Sequence, residues 1–217
     1  MAASANDIKI LRERTGAGML DCKKALEENN NNLESAVDWL RAKGIAKAAK
    51  KASRSATDGV VEAYIHGGGR IGVLLEVNCE TDFAARSEPF KALVRDIAMH
   101  IAAANPEFVG REEVSQDSYE REKAIQLQRV IEEGKPAAVA ARIVEGRMSK
   151  WYEEVCLLEQ KFIKDEDKTV KQVVDAAIAS IGENIKVRRF ARFNLGEGLE
   201  KKQSDFAAEV AAQVAGS

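Results

Sequence analysis

Apolar positions recur at helical spacing three times in residues 1–44: Ile8 and Leu11, then Met19, Cys22 and Leu26, then Leu33, Ala36, Val37 and Leu40. This pattern predicts three short helices. Gly16 and Gly18 separate the first two, and an asparagine run separates the second from the third, with Asn32 placed to cap the third helix and Gly44 to end it. A bundle of about 40 residues lies near the lower limit for independent folding, so residues 1–44 are expected to form a small docking module. Residues 45–57 continue a basic run containing Lys43, Lys47, Lys50, Lys51 and Arg54, interleaved with alanines. They are expected to be a basic helical linker whose charges face solvent, an acidic partner or nucleic acid.

The period then changes to two. Val61, Ala63 and Ile65 alternate, a glycine triplet turns the chain, and Ile71, Val73, Leu75 and Val77 alternate again, which is a β-hairpin. Ser87 and Pro89 open a helix whose stripe is Phe90, Leu93, Val94, Ile97 and Ile101; His100 falls at its edge, as a packing or a contact residue. Two thinner stripes, Ala124, Leu127 and Ile131, then Ala140, Val144, Met148 and Trp151, flank Gly134-Lys135-Pro136. They predict a helical hairpin over residues 115–152 that projects from the body. A strand is expected over 155–160, a helix through Val170, Val173, Val174, Ala177 and Ile181, and a strand over 185–195 with Lys186, Arg188 and Arg192 on one face with Phe190. A helical tail, 200–217, spaces Phe206, Val210 and Val214 four apart. The fold class is therefore α+β: a three-helix module, then an α/β-layer core over 58–199 with the hairpin inserted.

Composition removes several functions. No apolar run approaches the roughly 20 residues that span a bilayer, and MAASANDIKI lacks the basic start and apolar centre of a secretion signal, so a cytoplasmic location is expected. A net charge of −2 argues against a surface built to bind nucleic acid. Cys22, Cys79 and Cys156 are widely spaced and read as buried free thiols, and neither His66 nor His100 stands in a metal-ligand spacing. Gly67-x-Gly69-x-x-Gly72 matches a dinucleotide fingerprint as a string, but it joins two strands instead of a strand and a helix. No phosphate-binding loop, nucleophile elbow or cysteine-histidine pair occurs, and no cofactor is expected.

One stretch stands out. Asn78-Cys79-Glu80-Thr81-Asp82-Phe83-Ala84-Ala85-Arg86 joins a strand to a helix and spends a phenylalanine among charges. Either the ring folds back onto its own core, or it is held outward to enter another molecule with Asp82 as a polar partner. Glu80 and Asp82 could in principle form an acid/base pair, but no surrounding pocket is apparent.

LRERTGAGMLDCKKAL, GIAKAAKKA, EVNCETDF, IAMH, SIGENI, GEGLEKK and SDFAAEVAAQV occur in this order and resemble bacterial elongation factor Ts over nearly the whole chain. The resemblance implies a ubiquitin-associated-like N-terminal module and a guanine-nucleotide exchange factor, without covalent chemistry of its own, for elongation factor Tu in its GDP-bound and nucleotide-free forms. It further implies that Thr81, Asp82 and Phe83 form the exchange loop near the partner's magnesium and phosphates, that Arg12, Met19 and Lys23 belong to the contact face of the module, and that His100, Ile181 and Gly182 belong to core contacts. Longer members carry two core copies, whereas this chain has one and could restore the second by homodimerisation. A non-exchange adaptor binding protein or RNA is the rival expectation.

Overall fold

The computed structural model describes residues 3–199, so the expected helix through Phe206, Val210 and Val214 lies outside the described residues. Helices α1 (Ala5–Thr15), α2 (Met19–Glu28) and α3 (Leu33–Lys51) close on Leu11, Cys22, Ala25, Leu26, Ala36 and Leu40. Side-chain caps start two of them: Ser4 accepts from the Asp7 N–H at 3.0 Å, and Asn32 accepts from the Ser35 N–H at 2.9 Å.

Gly44 does not end the third helix. α3 runs through it to Lys51, so residues 45–51 of the expected basic linker belong to one 19-residue helix. Its residues are good helix formers, and the missing side chain at Gly44 allows close approach to α8 (Val170–Ile181), where a β-carbon on Gly44 would lie 3.6 Å from the Ala179 methyl. Nor is the basic run simply solvated. Lys43 and Lys47 grip the Asp21 carboxylate at 2.8 and 2.7 Å and hold its pKa below the usual range, and Lys51 reaches the Gly182 carbonyl.

Next come β1 (Asp58–His66), β2 (Ile71–Cys79), α4 (Asp82–Arg86) and α5 (Glu88–Ala104). The hairpin insertion is α6 (Gln116–Glu132) and α7 (Ala137–Val155), which meet on their own small cluster of Val130, Ala140, Val144 and Met148. The apolar run expected as a strand over 155–160 is instead the end of α7 followed by a 3₁₀ turn, Leu157–Glu159; it keeps only a single bridge, Phe108 to Cys156. A small hairpin of β3 (Lys161–Phe162) and β4 (Asp165–Thr169) then leads into α8, whose start carries a full capping box between Thr169 and Gln172. β5 (Ile185–Asn194) completes an antiparallel sheet in the order β1-β2-β5.

One face of this sheet is the core. Val73, Leu75, Val77 and Cys79 of β2 and Ile185 and Val187 of β5 pack against Phe90, Leu93, Val94, Ile97 and Ile101 of α5 and Val170, Val174 and Ile178 of α8. The other face is bare, and it holds the alternating apolar residues of β1: Ile65, Gly72 and Phe193 form one cross-strand row and Ala63, Leu74 and Ala191 the next. A bulge splits β5, because Glu76 lies opposite Arg189 and Val77 opposite Val187, leaving Arg188 as the extra residue. Lys186 and Arg188 therefore do not share a face with Phe190, which packs on the core; Arg188 and Arg189 both turn to Glu76.

His100, expected among the core contacts, is fully buried in the free chain. Its Nε2 lies 2.9 Å from Gln160 Oε1, and its Nδ1 accepts from the Ile163 N–H at 3.2 Å, so the neutral ring with the proton on Nε2 satisfies both partners. Protonating Nδ1 would set one N–H against another. Burial pushes the pKa below 6.5, against the smaller opposing pull of Gln160.

The unfolded chain therefore binds one more proton at this site below pH 6.5, and stability should fall as pH drops through that value and level off beneath the lowered folded-state pKa. Proton NMR of the two histidines checks it: the His100 ring should still be neutral at a pH where an ordinary imidazole is largely charged. Phe90→Ala, in the centre of the core, should cost about 3–5 kcal/mol in urea unfolding.

Candidate functional site: an exposed aromatic on a clamped turn

β2 ends at Cys79, and within four residues the chain has turned into α4 with Phe83 in its first turn. Two alanines anchor that helix: Ala84 and Ala85 are buried in the main core, while Phe83 on the opposite side is 79 % exposed. Among the described residues the ring does not fold back onto the core. Arg86, one turn on, pairs with Asp82 and sets its guanidinium 5.6 Å from the centre of the Phe83 ring. Asp82, Phe83 and Arg86 thus present an anion, an aromatic and a cation side by side on the surface.

The start of α4 is held by hydrogen bonds from outside the helix. The Thr81 hydroxyl oxygen caps the helix by accepting from the Ala84 N–H at 3.3 Å. Its O–H donates to Glu183 Oε1 at 2.6 Å, and the Glu80 and Thr81 N–H groups both donate to Glu183 Oε2, at 3.1 and 3.0 Å. In return the Asn184 N–H donates to Glu80 Oε1 at 2.6 Å. The Asn184 amide donates to the Arg54 carbonyl at 2.8 Å, so the segment after α3 is tied to the same junction. Glu183 was not singled out in the sequence; its only signal there is its place in SIGENI, directly after the helix-ending Gly182, whose φ is 91°.

Ile181 and Gly182 therefore lie next to the Thr81-Asp82-Phe83 turn through Glu183. Ile181 is half-buried against the core, and Gly182 is exposed with its carbonyl held by Lys51. His100 is not bonded to this junction; its ring is tied to Gln160 and Ile163. Arg12, Met19 and Lys23 are exposed on the three-helix module, Met19 and Lys23 one turn apart on α2, although the apolar spacing would have placed Met19 inside. Leu20, missed by the periodicity, is 83 % exposed beside them. The module is joined to the core where the Ser180 hydroxyl donates to the Gly16 carbonyl at 3.2 Å.

Nothing in this surface resembles a reaction centre. Glu80 is engaged by Asn184 and lies 3.5 Å from Arg54, and Asp82 is held by Arg86, so neither carboxylate is poised over a cavity as an acid or base. All three thiols are buried and their pKa values raised chiefly by burial, that of Cys156 to about 11, which disfavours the reactive thiolate. Among the described residues no cluster of His, Cys, Asp and Glu could hold a metal, and no helix is long and apolar enough to cross a membrane. The arrangement is an exposed aromatic ring between opposite charges on a fixed turn.

Comparison with known proteins agrees with the sequence motifs. The family model described as "Elongation factor TS" matches residues 23–197, most of the chain. Among similar curated proteins, elongation factor Ts of Desulforamulus reducens is 64 % identical over 97 % of each chain, that of Carboxydothermus hydrogenoformans 63 % over 94 % of each, and that of Geobacter sulfurreducens 61 % over 98 % of each. The chain belongs to the elongation factor Ts family of translation elongation factors.

Proposed function

We propose that the chain is a cytoplasmic guanine-nucleotide exchange factor that docks on elongation factor Tu and speeds release of its GDP with the Thr81-Asp82-Phe83 turn. The observation that carries this is the Phe83 ring, 79 % exposed on a turn fixed by five hydrogen bonds and, among the described residues, covered by none of the apolar core. Exchange needs no bond to form or break. The factor must bind the nucleotide-free GTPase more tightly than the GDP complex, and by linkage GDP and the factor then weaken each other by the same ratio.

Phe83 supplies part of that ratio by leaving water for an apolar seat in the GTPase, while Asp82 and Arg86 exchange their mutual pairing for contacts near the magnesium and phosphates. Burying one phenylalanine is worth about 1.5–3 kcal/mol, or roughly ten- to hundredfold in coupling. The remainder comes from the module face, Arg12, Met19, Leu20 and Lys23, and from Ile181 and Gly182 beside the turn. His100 contributes from inside, by holding the segment between the helical hairpin and β4 against α5.

The bare face of the sheet is proposed to receive a second copy of the chain, making a homodimer. Its rows through Ile65 and Phe193 and through Leu74 are apolar at the centre, with Glu76 and Arg189 at one end, as in a sheet that packs face to face on another.

Phe83→Ala should leave unfolding within about 0.5 kcal/mol of wild type, as for an exposed substitution, yet slow fluorescent GDP release from elongation factor Tu at least tenfold. Normal release with a large loss of stability would contradict the proposal. In sedimentation the chain should run as a dimer at micromolar concentration, and Leu74→Lys as a folded monomer; a monomeric wild type would remove the dimer.

A further inference from the structure

We propose that Glu183 is a positioning residue for the exchange turn, setting the direction in which Phe83 points without touching the partner itself. The inference rests on the exchange reading for its functional half, and on the geometry alone for its structural half.

The need for such a residue follows from the sheet. β2 and β5 pair as far as Cys79 opposite Ile185, and there the ladder stops. The next N–H groups, of Glu80 and Thr81, have lost the strand that would have accepted from them. Glu183 Oε2 takes both, at 3.1 and 3.0 Å, so one carboxylate oxygen continues the ladder where the backbone has turned away. Glu183 Oε1 takes the Thr81 O–H at 2.6 Å. Sending that proton to Glu183 leaves the hydroxyl oxygen free to cap Ala84, so the same carboxylate that closes the sheet orients the group that opens α4.

The clasp is reciprocal, since Glu80 Oε1 accepts from the Asn184 N–H at 2.6 Å. It is also tied to the module: Asn184 Nδ2 donates to the Arg54 carbonyl at 2.8 Å, and Lys51, in the last turn of α3, donates to the Gly182 carbonyl. The end of α3, the end of α8 and the start of α4 therefore share one junction. Without Glu183 the buried Ala84 and Ala85 would still hold the helix down, but its first residue and Phe83 beyond it would be free to pivot.

Five forms of the full chain test this: wild type, Glu183→Ala, Glu183→Gln, and Phe83→Ala with and without Glu183→Ala. In the free protein, Glu183→Ala should raise amide hydrogen exchange at Glu80 and Thr81 at least tenfold while amides of the α5 core stay protected. Glu183→Gln should return most of the protection, because its amide oxygen still accepts from both N–H groups. With elongation factor Tu carrying fluorescent GDP, Glu183→Ala should lose fivefold or more of the acceleration, Glu183→Gln should recover it, and in the Phe83→Ala background the Glu183 substitution should add almost nothing. Should Glu183→Ala fail to fold, Glu183→Asp, one methylene too short for all three bonds, should give the same pattern at smaller amplitude. Wild-type protection at Glu80 and Thr81 in Glu183→Ala, or an equal loss of acceleration with and without Phe83, would overturn the proposal. If Phe83→Ala itself leaves release unchanged, the exchange reading fails while the amide data still judge the clasp.

Discussion

A helix of five residues has too few internal hydrogen bonds to hold its own shape, so α4 stands only because its neighbours hold its first turn. That constraint organises the functional end of the molecule. Thr81 caps the helix, Glu183 fixes Thr81, and the buried pair Ala84 and Ala85 fastens the next turn to the core. What remains, on the only side left, is Phe83. An aromatic side chain has few rotatable bonds, so a fixed backbone places its ring at little entropic cost when a partner arrives.

Two phenylalanines seven residues apart illustrate the division of labour. Phe90 is completely buried and belongs to the packing of α5 on the sheet; Phe83 is largely in water and, among the described residues, joins no apolar cluster. The same side chain is buried in one place and presented to solvent in the other, and the direction of the local backbone separates them. The module follows the same logic, with Leu11, Cys22 and Leu26 inside and Met19, Leu20 and Lys23 outside, in a bundle whose third helix, α3, packs on α8 of the core.

The parts legible in the sequence were those written in local patterns: the α5 stripe, the β1–β2 hairpin, the turn between α6 and α7, and the caps at Asn32 and Ser87. What escaped was tertiary. Gly44 read as a helix end because its partner, Ala179, is far away in the chain, and the basic run read as solvated because Asp21 lies on another helix. The bulge at Arg188 flips the alternation of β5 without any Gly or Pro to announce it. His100 looked half-exposed on a helical wheel, but Gln160 and the backbone of Ile163 close over it. Of the site, the Thr-Asp-Phe stretch was evident from its composition and its resemblance, whereas Glu183, about a hundred residues later, becomes meaningful only when its carboxylate is found at the turn.

The central claim is that the Phe83 ring, idle in the free chain, is seated in the GTPase when the two meet. The most direct measurement replaces Phe83 by p-benzoylphenylalanine and irradiates the chain with nucleotide-free elongation factor Tu. A crosslink into the nucleotide domain of the GTPase that excess GDP suppresses is the outcome expected from an exposed ring that competes with nucleotide. Crosslinks only within the chain, or to the GTPase with no effect of GDP, would contradict the account.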